Sequence, residues 1–247
     1  SKLFSFVMVP QRGMANCYLD RDIDALMERT RRRPLPAGRL QPARALAFGA
    51  VLTALGGLVL GVFVNWLAAG LALAASLFYV VGYTAVLKRR TPQNIVIGGA
   101  AGAAAPLIGW AAVAGGLDGA AFLLAALVLF WTPPHFWALA LLAADDYRRA
   151  GVPMMPVSRG EMATRRQIVF YACLASVAAL APAAIGLLGW LYVGVALPLS
   201  VLFVALAALV LREGGRRWTG LLFRFSVAYL GLLCLSLVFD VVLRLAG

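Results

Sequence analysis

Acidic residues are scarce in this chain. Ten Asp and Glu stand against 22 Lys and Arg in 247 residues, and charged residues make up only 13% of the total. A soluble domain carries about 25% charged residues, so an ordinary water-exposed surface is excluded. Cysteine is sparse as well. Cys17, Cys173 and Cys234 are far apart and form no CxxC pair, which argues against a zinc site or a disulfide framework. Cys173 and Cys234 fall in apolar stretches and are expected to serve as packing residues. No internal repeat is evident from the spacing. A signal-peptide layout is also missing: the apolar stretch at residues 3–9 is ended by Pro10, is too short to span, and has no small-residue cleavage site before the polar segment that follows.

What the chain does have is hydrocarbon. Hydrophobic residues reach 63%, against about 45–50% in soluble proteins. Seven apolar runs cover residues 45–64, 67–87, 95–115, 120–143, 167–188, 191–211 and 218–243. Each is near the length of about 20 residues that crosses a bilayer core. Backbone groups in lipid must be paired within the segment, so the runs must be helices. The expected fold class is all-α, a polytopic transmembrane helix bundle. Small residues, as in Gly98-Gly99-Ala100-Ala101-Gly102-Ala103-Ala104-Ala105, let such helices approach closely.

The formal net charge is +12. In a soluble protein this would suggest nucleic acid. Here the cations flank apolar spans, so the charge reads as membrane topology and no nucleic-acid partner is expected. Residues 21–44 hold seven Arg, 88–90 three cations, 148–166 five Arg and 212–217 three Arg, together 18 of the 22 cations. The alternating short connections near residues 65–66, 115–119 and 186–191 hold none. The basic side is expected to face the cytoplasm.

Four groups of residues on that side suggest chemistry. On a helix, Asn16, Asp20 and Asp24 share one stripe while Asp22 points elsewhere. Like charges at i, i+4 are destabilising, and a divalent cation would compensate. Oxygen-only ligands suit Mg²⁺ or Mn²⁺, and Mg²⁺ is usually held by one or two carboxylates plus substrate phosphates. The alternative is a solvated acidic face paired with Arg21, Arg29 and their neighbours. Arg32 and Arg33 follow on a loop shaped by Pro34, Pro36 and Gly38. With Lys88 and Arg89 they could bind phosphate oxygens or simply anchor the protein by the positive-inside rule. Asp145 and Asp146 fall at the cytoplasmic end of a span, where the macrodipole disfavours carboxylates. That suggests a second cation site, or salt bridges to Arg148 or Arg149. His135, the single histidine, lies about 15 Å deeper at 1.5 Å per residue. Ionisable groups at such depth are often functional, and Pro133 and Pro134 would open space beside it. A neutral imidazole there could ligate an iron or orient a polar group. The alternative is a histidine bonded to a backbone carbonyl.

Together these residues resemble the UbiA superfamily of membrane prenyltransferases. Asn16-x-x-x-Asp20-x-x-x-Asp24 matches its first Asp-rich motif, and Arg29-Thr30-x-x-Arg33-Pro34-Leu35-Pro36-x-Gly38-Arg39 fits its continuation. Three further stretches resemble the heme O synthase subgroup: Tyr83-Thr84-x-x-Leu87-Lys88-Arg89-x-Thr91-Pro92-x-Asn94, Trp131-Thr132-Pro133-Pro134-His135-Phe136-Trp137, and Asp146-Tyr147-x-x-Ala150-Gly151-x-Pro153-Met154. The resemblance runs from about residue 15 onward, so residues 1–14 are set apart as an atypical N-terminal segment and 15–247 as the transmembrane prenyltransferase domain. It departs from the superfamily in two respects, the first at the second carboxylate pair. Ala143 and the adjacent Asp145-Asp146 stand where two carboxylates four residues apart are usual, as in the heme subgroup.

The resemblance implies farnesyl transfer from farnesyl diphosphate to a vinyl group of heme b, with heme b a substrate rather than a cofactor. It implies Mg²⁺, with Mn²⁺ as an alternative, on Asn16, Asp20, Asp24 and Asp146. Asp145 joins these as a catalytic carboxylate. Arg32, Arg33, Lys88, Arg89 and Arg149 would bind diphosphate, and His135 would orient heme or ligate its iron. The implied partners are the lipid bilayer and a downstream heme A synthase. The implied setting is a bacterial inner membrane with the active site facing the cytoplasm. Two other readings remain open. One is the same transfer to a quinone precursor or chlorin. The other is a carrier for heme or an anionic lipid, which would have no need of Asn16, Asp20 and Asp24. The family has nine transmembrane helices, two of them before the first motif, so the chain is expected to be a truncation, a fragment or a mis-started frame.

Overall fold

A computed structural model describes residues 20, 24, 25, 30, 32, 34, 35 and 37–246 of the chain. Among them, seven helices are long and apolar enough to cross a membrane, and each overlaps one of the seven apolar runs. In chain order the helices are α1 (Pro42–Phe63), α2 (Trp66–Leu77), α3 (Asn94–Ala114), α4 (Gly119–Leu142), α5 (Ala144–Arg149), α6 (Met155–Ser158), α7 (Gly160–Ala184), α8 (Trp190–Glu213) and α9 (Gly215–Ala246). No strand occurs among the described residues. The span that starts with α2 continues into a π-helical stretch, Phe78–Leu87, and a last turn at Lys88–Arg90. The chain is a multi-pass membrane protein.

Two differences from the sequence expectation have clear causes. Helix α7 begins at Gly160, seven residues before the apolar run. Its first turns are polar but helical, held by an Arg165–Glu161 pair at 2.6 Å one turn apart. Cys173 and Cys234 do not pack inside the bundle; both are exposed on its outer surface.

The bundle packs through small residues. Ala68, Ala72 and Ala75 of α2 meet Ile108 and Ala111 of α3. Close approach replaces the hydrophobic driving force that lipid removes. A larger core joins α4, α7, α8 and α9 around Trp137, Ile168, Phe203, Leu222, Tyr229 and Leu233. Helix α4 contacts α3, α7 and α9. It runs unbroken through Pro133 and Pro134, although each proline removes one backbone donor.

Polar side chains fasten the turns on the side away from the cationic loops. Asn65 accepts from Ala68 N at 2.8 Å, capping α2, and donates to Ala111 O of α3 at 2.8 Å. Asp118 accepts from Ala120 N and Ala121 N at the start of α4. Asp240, buried in α9, accepts from Gly189 N at 2.7 Å and Tyr192 N at 3.3 Å where α8 begins. Arg244 pairs with Asp240 at 3.3 Å. It is the one cation near this membrane face among the described residues, held by its own counter-charge.

Candidate functional site

The site is built at the basic end of the bundle. Asp24 N donates to Asp20 O at 2.7 Å, the i→i−4 bond of an α-helical turn. The two carboxylates therefore lie one turn apart, as the spacing requires. Both are buried, Asp20 to 1% and Asp24 to 3% exposure, which excludes the solvated acidic face. Thr30, also buried, donates to Asp24 O at 3.0 Å and ties the segment after the carboxylates back onto them.

Lys88 reaches Asp20 from 68 residues away. Its Nζ lies 2.6 Å from Asp20 Oδ2, with the lysine side chain 14% exposed. The π-helical stretch supplies the approach. Its five-residue bonding pattern is seen in the bond from Lys88 N to Tyr83 O. Thr84 donates to Tyr79 O, five residues back, at 3.0 Å and holds the widened turn. Tyr79 and Tyr83 stack with ring centroids 5.3 Å apart. Tyr83 lies close enough to Asp20, Tyr79 and Tyr147 to interact electrostatically with each. Tyr147 is a buried residue of α5, so the helix that carries the second acidic pair lies within electrostatic range of Tyr83.

A Cβ at Gly98 would overlap the Tyr83 ring, so glycine is what lets α3 seat that ring. Gly98→Ala is expected to push Tyr83 out of the site and lower turnover by up to about 10²-fold, the cost of a 1 Å misplacement. Gly109→Ala on the same helix, where a Cβ meets nothing within 4 Å, is the matched control. Turnover of the two variants, measured side by side, checks this.

The second acidic pair is placed differently from the sequence expectation. Helix α4 stops at Leu142, and Asp145 and Asp146 open a separate helix, α5, in its first turn. There the macrodipole favours carboxylates, and Arg148 and Arg149 complement it in the last turn. Asp145 is 82% exposed and pairs with Arg148 at 2.6 Å. Asp146 is 16% exposed and pairs with Arg149. Asp146 is thus the member shielded from solvent, beside Tyr147. Arg32 is exposed. Asn16, Asp22 and Arg33, and the side chain of Arg89, lie outside the described residues.

The residues present fit a divalent cation. Asp20 and Asp24, buried and one turn apart, offer oxygen ligands of the kind such a cation takes. No set of three His, Cys, Asp or Glu converges among the described residues.

His135 occupies a second locus, between α4 and α9. Its ring is stacked between Trp131 and Phe223, each at 4.7 Å, with Phe136 edge-on at 5.0 Å. Nδ1 lies 2.7 Å from Ser226 Oγ, so the partner is a hydroxyl and not a backbone carbonyl. Three residues important here were not assigned from sequence. Tyr83 and Tyr147 stood inside the quoted motifs and were legible as candidates. Ser226 had no signal, being 91 residues from the histidine it bonds.

A family model described as the UbiA prenyltransferase family matches residues 3–227. A protein named protoheme IX farnesyltransferase from Roseiflexus castenholzii is 50% identical over 225 residues, covering 91% of this chain and 42% of that protein. One of the same name from Symbiobacterium thermophilum is 52% identical over 228 residues, covering 92% of this chain and 76% of that protein. The chain thus spans less than half of the first relative and about three quarters of the second. Among solved structures, a UbiA homologue from Aeropyrum pernix K1 superposes with TM-score 0.71 at 20% identity, over 98% of this chain and 90% of that one. A chain from work on digeranylgeranylglyceryl phosphate synthase in membranes gives TM-score 0.77 at 20% identity, over 96% and 83%. The structural likeness establishes the fold, and the family match over residues 3–227, with relatives about 50% identical, establishes the lineage: this chain belongs to the UbiA prenyltransferase family.

Proposed function

We propose that the chain transfers a farnesyl group from farnesyl diphosphate to a vinyl group of heme b, giving heme O and pyrophosphate. The single observation that carries the diphosphate half is the buried Asp20–Lys88 pair beside Asp24 at the basic mouth of the bundle. The acceptor half is supported by the relatives named protoheme IX farnesyltransferase. The site faces the cytoplasm of a bacterial inner membrane, following the one-sided cations. A heme A synthase is the natural recipient of the product.

Asp20 and Asp24, with Asn16 and Asp146, are the residues that would hold Mg²⁺ or Mn²⁺. When bound, such an ion neutralises charge on the diphosphate and favours its departure. Lys88 supplies a fixed positive charge where the leaving pyrophosphate gains negative charge, with Arg32, Arg33, Arg89 and Arg149 as further phosphate partners. The bond between farnesyl C1 and the diphosphate oxygen breaks, its electron pair leaving with pyrophosphate. The vinyl π bond of heme b attacks C1 and forms the new carbon–carbon bond. Water adds to the remaining vinyl carbon and releases a proton, giving the hydroxyethylfarnesyl substituent. The apolar bundle keeps water from the allylic cation until that point.

The test is Mg²⁺-dependent pyrophosphate release by the purified chain with farnesyl diphosphate, with and without heme b, and the product mass. Heme O with stoichiometric pyrophosphate is expected. No pyrophosphate would leave the carrier reading standing. Product only with a quinone precursor or chlorin would change the acceptor. His135→Ala separates the two halves. It should weaken heme b binding about 10-fold or more, the scale of losing a metal ligand's support, and leave the KM for farnesyl diphosphate unchanged. A heme titration followed by absorbance checks this.

A further inference from the structure

The surroundings of His135 define more than its position. Ser226 Oγ lies 2.7 Å from the carbonyl oxygen of Phe223. A carbonyl can only accept, so the hydroxyl donates its one proton there. That leaves only lone pairs on Oγ to face His135 Nδ1 at 2.7 Å. Nδ1 must then be the donor, and the neutral ring carries its proton on Nδ1 and its free lone pair on Nε2. Rotation is blocked as well. Both ring faces are covered, by Trp131 and Phe223, so the imidazole can leave its plane only by pushing through both stacks. Trp131 is held in turn, its indole N–H donating to Ser226 O at 2.7 Å. One residue of α9 therefore orients both the histidine and the ring stacked on it.

We propose that Ser226 is a positioning residue that fixes His135 as its Nδ1–H tautomer and so presents Nε2 as the ligating atom for the iron of the heme substrate. This rests on the heme reading of His135 given above. The arrangement follows the general pattern of metal-ligating histidines, whose second ring nitrogen donates to a fixed acceptor that sets the tautomer and raises the basicity of the ligating atom. An anchored iron would fix the macrocycle, and with it one vinyl group, relative to the diphosphate site at the helix ends.

The chain has one histidine, which permits a direct test without heme. The full chain, purified through a tag lacking histidine and labelled with ¹⁵N-histidine, is read by NMR for which ring nitrogen is protonated. Nδ1–H is expected in the wild type and in Ser226→Thr. Ser226→Ala is expected to show a mixture or the Nε2–H form. Ferric heme b titrated into the same samples is expected to bind 10–100-fold more weakly to Ser226→Ala, with its Soret band shifted toward that of His135→Ala. Ser226→Thr should restore both, and the KM for farnesyl diphosphate should stay constant throughout. Nε2–H in the wild type overturns the proposal whatever heme does. So does wild-type heme binding by Ser226→Ala when His135→Ala loses it. So does equal loss of farnesyl diphosphate binding and thermal stability without rescue by threonine, which marks a purely structural role. If His135→Ala itself leaves the heme spectrum and affinity intact while the tautomer result holds, the heme reading of His135 fails and the ligating role of Nε2 fails with it.

Discussion

Asp20→Asn is expected to lower pyrophosphate release by at least about 10²–10³-fold, the scale of removing one group that stabilises transition-state charge, while the protein remains in the membrane. The asparagine keeps the shape of the side chain and removes its charge. Asp20→Ala should abolish turnover entirely, but it also strands Lys88. Breaking a buried ion pair from one side costs about 3–5 kcal/mol because the remaining charge is uncompensated. Loss of activity in the alanine variant alone would therefore mix chemistry with stability. The double variant Asp20→Ala/Lys88→Met separates them. It removes both buried charges, so membrane abundance and thermal stability should recover toward wild type while turnover does not. Wild-type-like turnover in Asp20→Asn would remove the carboxylate from the metal and diphosphate assignment.

Lys88→Met should produce two changes of opposite sign. The ammonium lies 2.6 Å from Asp20 and is largely shielded from water, so its loss makes the site more negative by one charge. A divalent cation should then bind more tightly, and the Mg²⁺ concentration for half-maximal activity should fall. The departing pyrophosphate loses its fixed counter-charge, so kcat should drop by about 10²–10³-fold. General damage to the fold would weaken both, which is why the split is informative. Lys88→Arg should recover part of kcat because the charge returns, though the planar guanidinium does not reproduce a compact ammonium. A steady-state Mg²⁺ titration of the three proteins reads both quantities. Parallel weakening of metal activation and kcat in Lys88→Met would argue that the lysine supports structure alone.

Much of the candidate site could be read before any coordinates, because its signals were local. The 16–20–24 spacing implied one helical stripe, and the backbone bond from Asp24 to Asp20 shows that turn. Cations crowding alternate connections marked one membrane face, and Lys88 lies there. Other features were not local. Asp145 and Asp146 read as a helix C-terminus because the apolar run ends just before them. The break at Ala143, where the backbone leaves helical geometry at φ −113° and ψ 22°, turned them into an N-terminal pair. Cys173 and Cys234 read as interior residues because hydropathy cannot tell lipid from core, both being apolar. Only the rotation of α7 and α9 about their axes decided that they face outward.

Hydropathy and charge along the chain were enough for the seven spans, their alternation across the bilayer and the face on which chemistry gathers. These follow from transfer energies that each segment carries whatever its neighbours are. Which side chains touch was settled by packing between segments far apart in sequence. Lys88 meets Asp20 because a π-helical turn aims it there, and His135 meets Ser226 because α4 and α9 lie side by side. Such contacts depend on helix rotation and register, and lipid-facing and core-facing surfaces of similar polarity leave no trace of either in the order of residues.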